Sequence, residues 1–467
     1  MALLCDPKHL MAFADKLSAG YFLHASPPMN LLLLVGLLLI AGVHLTTKRR
    51  RRTVYLMDYA CSEGIANCRV PVPGIIEHIH LNPFLDTKSI SFMTRMLQTS
   101  GIGDESCFPP ANFYIPPQSS FKDTRAEAEL VIFPAIDDVL AKTGVTPDDI
   151  DVVVVNCSLV APVPSISDMI VNRYRLRDGV QAVNLSGMGC SAGVISVDLA
   201  SRLLQAAATR SVATTEPRYA LVVSTEIITP NFYTGKERAM QLSNVLFRVG
   251  GAAALLSTSD QGRARFRLSH LVRTSTAGTH DDGSYSCVFQ QEDDEGIVGV
   301  KLSRDLLNVA GEALKANITA LAPLVLPLSE QLRFVMLVAA RRLRTLLGRH
   351  RKEPPVVPDF RKAFEHFCVH CGGRAVIDTV ERSLGLPDEL VEASRMTLRR
   401  FGNTSSSSLW YELAYIEAKG RMQKGDRVWM IGFGSGFKCN SAVWECIRPA
   451  EEPDRAWAGC IHRYPMK

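Results

Sequence analysis

The stretch that most constrains this 467-residue chain is a short apolar strand that runs into glycines and then into alanines. Gln181-Ala-Val-Asn-Leu185 passes into Asn184-Leu-Ser-Gly-Met-Gly-Cys-Ser-Ala-Gly193, and an Ala-rich segment follows from about Ala192 to Ala208. Apolar, β-branched residues favour an extended strand, glycines permit backbone angles closed to other residues, and alanine favours helix. The order strand, sharp turn, helix is a unit of an α/β protein. Other runs repeat the signal. Ile150 to Asn156 reads as a fully buried strand, and further strands are expected at Ala220–Thr225, Gly251–Leu256, Arg265–Ser269, Arg427–Gly432 and Ala442–Ile447. A looser echo of the same unit lies at residues 363 to 384, which implies two related halves meeting near residue 265.

Hydrophobic content of 47% with 21% charged residues describes a packed globular body. The net charge of +5 gathers in Lys48 to Arg52 and in Arg341 to Lys352. Neither cluster has the interleaved aromatics or zinc-finger spacing of a nucleic-acid reader, so no nucleic-acid partner is expected. Such clusters suit a membrane surface or the phosphates of a soluble cofactor. Twelve cysteines without a repeating spacing indicate reduced thiols facing the cytosol.

Residues 29 to 46 are almost wholly apolar and lie between Pro27-Pro28 and the Lys/Arg run. As a helix they span roughly 27 Å, enough for a thin bilayer. The basic flank places the rest of the chain in the cytosol. A cleaved signal peptide would carry its basic residues before the apolar run, and a buried core helix is the remaining alternative. Leu10 to Ala25 is weakly apolar and reads either as a second membrane segment or as an interfacial helix. Ser329 to Leu347 is helical with apolar residues on one face. It reads equally as a surface helix with solvated arginines or as a membrane-hugging flap.

Four stretches carry chemistry. Cys190 stands where a helix begins, so aligned peptide dipoles are expected to lower its pKa and the local N–H groups to hold an oxyanion; a structural cysteine is the plain alternative. Glu365-His-Phe-Cys-Val-His-Cys-Gly-Gly373 presents His370 before two glycines and a helix over Arg374–Leu384. His366, Cys368, His370 and Cys371 are also possible zinc ligands, although no second ligand pair is evident elsewhere. Arg400 to Ser408 reads by itself as a polar loop. Gly432-Phe-Gly-Ser-Gly436 fails to complete a Walker pattern, and serves as well for a tight turn with backbone N–H groups near a reacting carbonyl.

In this order and spacing the stretches resemble plant 3-ketoacyl-CoA synthases, from about Val54 to Arg448. The resemblance includes Val54-Tyr-Leu-Met-Asp-Tyr-Ala-Cys61, Thr229-Pro-Asn-Phe-Tyr233, Leu242-Ser-Asn-Val-Leu-Phe-Arg248 and Leu324-Val-Leu-Pro-Leu-Ser-Glu330. It implies a nucleophile at Cys190, a catalytic histidine at His370 and an asparagine at Asn403. Substrate-binding candidates are His270, His366, Gly434 and Ser435. It further implies an α/β, duplicated thiolase-like five-layer α-β-α-β-α sandwich with an N-terminal transmembrane anchor, divided into an anchor region 1–53, halves at 54–264 and 265–448, and a tail 449–467. The substrates would be acyl-CoA and malonyl-CoA, with no metal and no other cofactor. The setting would be the endoplasmic reticulum membrane with a cytosolic catalytic body, a homodimer, and the ketoacyl reductase, dehydratase and enoyl reductase of an elongase as partners. Gly432 to Gly436 lacks the second cysteine of a degradative thiolase. A chalcone-synthase-like polyketide synthase shares Cys, His and Asn but has no reason for the segment at 29–46, and a non-catalytic scaffold is the alternative of another class. Cys371 stands where the family suggests a small residue such as alanine.

Overall fold

The computed structural model describes residues 53–210, 216–278, 282–346 and 356–466. The apolar segment at 29–46 and the stretch at Leu10 to Ala25 lie outside these residues. Among the described residues, no helix is long and apolar enough to cross a membrane. Thr53–Lys467 form one compact unit.

Its elements are β1 (Tyr55–Cys61), α1 (Val72–Leu81), α2 (Thr87–Thr99), α3 (Phe121–Thr143), β2 (Ile150–Asn156), α4 (Ile166–Tyr174), β3 (Gln181–Leu185), α5 (Ala192–Arg210), β4 (Tyr219–Thr225), α6 (Arg238–Leu246) and β5 (Gly251–Ser257). There follow β6 (Phe266–Ser275), α7 (Asp282–Ser286), β7 (Val288–Glu292), β8 (Val298–Leu302), α8 (Leu306–Val325), α9 (Leu328–Leu346), β9 (His366–Val369), α10 (Arg374–Leu384), α11 (Asp388–Phe401), α12 (Ser408–Ala418), β10 (Arg427–Gly434), β11 (Lys438–Cys446) and α13 (Arg455–Ala458).

Nine strands form a mixed sheet in the order β3-β2-β4-β5-β1-β6-β11-β10-β9, and β7 with β8 form a separate hairpin. The large sheet has two arms joined by the short β1–β6 contact at Tyr55↔Arg267 and Leu56↔Phe266. In the first arm β2 and β4 are parallel, β5 runs antiparallel to β4, and β1 antiparallel to β5. In the second arm β9 and β10 are parallel, β11 is antiparallel to β10, and β6 antiparallel to β11. The pairing pattern repeats, so β9 matches β2. The echo expected at 363–384 is indeed strand, glycine turn and helix. It corresponds to the β2 position, however, and not to the unit around β3.

Strand side chains alternate between faces, and in β2 and β10 both faces are buried, whereas β3 at the sheet edge is half-exposed. Val152 and Val154 of β2 join a central apolar cluster, whereas Val153 and Val155 join a second cluster with α3 and α4. In β10, Val428 and Met430 face the same central cluster, while Trp429 and Ile431 join a third with α8 and α10. Burying each such side chain stabilises the fold by about 1.5–3 kcal/mol. Two helices fill the central layer. α5 packs on β2 and β4 as well as on β10, and α12 packs on β9 as well as on β1 and β5. Residues Ser408 to Glu417 of α12 are all buried, as expected of a helix enclosed on every side. Its two carboxylates are satisfied internally, Glu417 by Arg265 and Tyr59, and Glu412 by Ser394 and Cys371.

α9 exposes Leu328, Leu332, Val335 and Met336, while Arg333 is tied to Glu330. Its first turns thus expose apolar side chains beside the partly exposed Arg333.

Candidate active site

A cavity of about 390 Å³ opens beside the glycine turn that follows β3. Cys190, His370 and Asn403 all line it, with Gly434 and Ser435. Three separate loops bring them there, each delivered by one end of a buried strand or helix.

Cys190 stands in the turn between β3 and α5, two residues before the first helical residue. Gly187 and Gly189 adopt φ of 67° and 73°, the left-handed region that favours glycine. A Cβ on Gly189 would come within 2.3 Å of the Ser435 nitrogen, and one on Gly434 within 2.7 Å of Ser191 Oγ. The two glycine-rich turns therefore touch backbone to backbone. Gly432 to Gly436 is the end of β10 and the start of the hairpin turn into β11, not a strand-to-helix phosphate loop. Cys190 is partly exposed and lines the cavity. Burial, with the nearby Glu226 charge, pushes the thiol up to about 12 against the opposing hydrogen bond of Ser405. The expected lowering by the helix end is thus outweighed, because desolvation disfavours the anion more than a helix starting two residues later favours it.

His370 follows β9 and is buried. Its Nδ1 lies 3.0 Å from Ser408 Oγ at the start of α12. Desolvation lowers its pKa to about 4, so the ring is neutral at physiological pH. Asn403 lies between α11 and α12. Its backbone is clamped by Leu246 O and by Arg248 N–H, which donates to Asn403 O at 2.9 Å. Its Oδ1 accepts from Ser405 N–H at 2.8 Å, and its Nδ2 donates to Gly372 O at 3.3 Å. The backbone thus sets which end of the amide is which, and the second Nδ2 hydrogen remains for the cavity.

Two sequence candidates lie elsewhere. His366 is paired to Asp426 at 2.8 Å, and His270 sits on β6 against Ser269. Neither lines the cavity. The zinc alternative finds no geometry. Cys368 enters the central core, Cys371 bonds Ser394 O and Glu412, and no group of three ligand-type side chains is gathered among the described residues. Cys371 fills a position expected to be small by sharing a proton network with Glu412, whose buried carboxyl is raised to about 8.

Three features escaped the sequence reading. Glu226, directly after β4, lines the cavity with a buried carboxyl. Ser405 and Ser408 contact the cavity residues from what read as a polar loop. The β7–β8 hairpin supplies Val288, Val300 and Leu302, which with Leu306 and Ala310 of α8 give the cavity an apolar wall. An acid after the buried run Ala220–Thr225 was the one available signal for Glu226. The hairpin had none, since its short mixed strands carry no clean alternation.

The arrangement gathers a cysteine sulfur, a neutral imidazole, a carboxamide N–H and an apolar wall around one cavity. Residues 46–343 match the family model for FAE1/Type III polyketide synthase-like protein, and residues 361–446 match that for the 3-Oxoacyl-[acyl-carrier-protein (ACP)] synthase III C terminal. The chain is 56% identical over 421 residues to 3-ketoacyl-CoA synthase 5 of Arabidopsis thaliana, covering 89% of this chain and 82% of that protein. It is also 56% identical to 3-ketoacyl-CoA synthase 6 of the same plant, covering 89% and 81%. Among solved structures, a type III pentaketide synthase from Neurospora crassa superposes with TM-score 0.64 at 17% identity, over 84% of this chain and 99% of that one. CsyB complexed with CoA-SH gives 0.64 at 18%, over 84% and 100%.

Proposed function

Because the chain belongs to the FAE1/Type III polyketide synthase-like family and, within it, to the 3-ketoacyl-CoA synthases, we propose that its cavity performs a decarboxylative Claisen condensation on Cys190. The protein is a condensing acyltransferase of fatty acid elongation with a mixed α/β, thiolase-like fold. The observation that carries the site assignment is the convergence of Cys190, His370 and Asn403 on one cavity.

Cys190 sulfur attacks the thioester carbonyl of a long-chain or very-long-chain acyl-CoA, releases CoA and holds the acyl group as a thioester. The apolar wall of hairpin and α8 receives the chain. Malonyl-CoA then binds with its thioester carbonyl accepting from two donors. The step uses the tautomer in which Ser408 Oγ–H donates to His370 Nδ1, 3.0 Å away, and Nε2 carries the hydrogen. Asn403 Nδ2–H is the second donor. Loss of carbon dioxide leaves an enolate on that carbonyl oxygen, and both donors stabilise the developing charge. A neutral ring with a low pKa suits this step, because it gives a hydrogen bond without giving up its proton to the enolate. The enolate carbon attacks acyl-Cys190, and a 3-ketoacyl-CoA two carbons longer leaves. Decarboxylation supplies the driving force, so the reaction as proposed needs no metal or redox cofactor.

The finer architecture belongs to the same reading. The repeated arms and three apolar clusters support a duplicated five-layer sandwich with halves at 54–264 and 265–448. The apolar run 29–46 with Lys48 to Arg52 supports an anchor in the endoplasmic reticulum membrane with the catalytic body in the cytosol. The exposed apolar residues of α9 support a second contact with that surface. Homodimerisation and association with the reductases and dehydratase of elongation complete the proposal.

Incorporation of radiolabelled malonyl-CoA by the wild type and by Cys190→Ala tests it. The variant should form no elongated product; equal product from both would leave the protein a scaffold.

A further inference from the structure

The cavity must admit a carboxylate in every cycle, because the extending substrate of the proposed reaction is malonyl-CoA. A carboxylate taken from water into a site with an apolar wall is costly unless a cation or several donors meet it. Among the described residues, Lys438 is the one lysine or arginine that lines this cavity. We propose that its ammonium receives the malonyl carboxylate and so selects the extending substrate. The inference rests on the reading of the cavity as a condensation site.

Lys438 opens β11 just after the glycine turn and is half-buried. Its register partner across the hairpin is Gly434, whose backbone touches Ser191, the neighbour of Cys190. The Lys438 backbone thus stands one strand spacing, about 5 Å, from a residue in contact with the nucleophile's turn. Its Nζ donates to Ser435 O at 2.6 Å, which fixes the side chain and leaves two of the three hydrogens for a ligand. Among the described residues no carboxylate is paired with it. The neighbouring Arg273 is already held by Asp198 at 3.0 Å. The cavity's own carboxylate, Glu226, accepts from Ser405, Leu159 and Cys157 instead. Burial and the Arg273 charge lower the pKa of Lys438, and an arriving anion offsets both.

Malonyl-CoA offers two kinds of anion. Its phosphates lie at the far end of the pantetheine arm, whereas its carboxylate is separated from the reacting carbonyl by a single methylene. A cation anchored beside the Cys190 turn is placed for the nearer anion. The acyl-CoA that loads Cys190 has no such carboxylate, so Lys438 acts on the second substrate alone. The contact belongs to the ground state. Carbon dioxide leaves uncharged and the negative charge passes to the thioester oxygen between His370 and Asn403, so the pairing with Lys438 is lost as the reaction proceeds. An interaction of this kind lowers KM without raising kcat.

The test compares full-length wild type, Lys438→Met and Lys438→Arg in three assays. The first gives KM and kcat for malonyl-CoA at saturating acyl-CoA. The second is single-turnover transfer of a radiolabelled acyl group to Cys190 without malonyl-CoA. The third is inhibition of condensation by free CoA, which has the phosphates but no malonyl group. In Lys438→Met the KM for malonyl-CoA should rise about 10-fold, as loss of one charge-assisted hydrogen bond implies. Its kcat should not fall, and acyl transfer and the CoA inhibition constant should keep their wild-type values. Lys438→Arg should restore most of the lost affinity. An unchanged KM in Lys438→Met overturns the proposal. So does a CoA inhibition constant that rises with the KM, which would assign Lys438 to the phosphates. An equal loss of acyl transfer also overturns it, since that would mean a slackened glycine turn. Failure of the wild type itself to acylate Cys190 would instead sink the underlying reading.

Discussion

At Asn403 a single backbone N–H, that of Ser405, points the carboxamide so that its NH₂ end serves Gly372 O and the cavity. Asn403→Asp puts an acceptor where the enolate needs a donor, and its charge is unwelcome beside a developing anion. Condensation should drop about 10²–10³-fold, the cost of removing one oxyanion donor, while acylation of Cys190 persists; a burst assay that separates the two steps checks this. His370 makes a second residue-scale prediction. Its folded pKa of about 4 lies below the ordinary 6.5, so unfolding takes up a proton between those values. Its contribution to stability is whole above about pH 6.5 and is lost as pH falls toward 4. Urea midpoints of wild type and His370→Gln, taken from pH 7.5 to 4.5, should diverge in slope over that window. Parallel curves would mean that the ring is not desolvated.

Among the elements, the apolar wall is where the proposed function places selection by chain length. Ala310 of α8 is buried, small and on the cavity surface, part of the same apolar wall as the hairpin residues Val288 and Val300. Ala310→Phe fills the space that the proposed function assigns to the acyl chain, and overpacking of this kind costs about 1–3 kcal/mol. Turnover of the longest acyl-CoA substrates should fall roughly 10-fold relative to shorter ones, since about 1.4 kcal/mol is a factor of ten in an equilibrium. Gas-chromatographic profiles of elongated products measure the shift, and an unchanged profile would place the chain elsewhere. The elements also show where sequence was legible. β2 and α10 stand at the expected residues, as the β-branched run and the glycines before Arg374 required. β6 extends to Ser275 and β11 starts at Lys438, beyond the apolar runs that marked them, because cross-strand pairing with each other, not local hydrophobicity, sustains those ends.

Across the whole molecule the two arms meet at a narrow seam. Arg265, at the start of β6, pairs with Asp58 of β1 at 2.9 Å and with Glu417 of α12. All three are mostly shielded from water, and Arg265→Met leaves two carboxylates there unpaired. Loss of one partner of a buried ion network destabilises by about 3–5 kcal/mol, so a clear fall in thermal midpoint is expected with the cavity residues themselves untouched. An unchanged midpoint would show that the seam is held by packing alone. Local sequence was sufficient for the strand–turn–helix grammar, for the glycines at Cys190 and His370, and for the three cavity residues once their order matched a known family. Those signals reside in backbone propensities and side-chain chemistry within a dozen residues. Only the tertiary structure could add Glu226 to the cavity, set Ser405 against Asn403 and Glu226, send His270 and His366 elsewhere, and raise the Cys190 thiol instead of lowering it. Burial and hydrogen-bond partners 179 residues apart, as Ser405 and Glu226 are, depend on how the sheets and buried helices pack, and no local pattern encodes that.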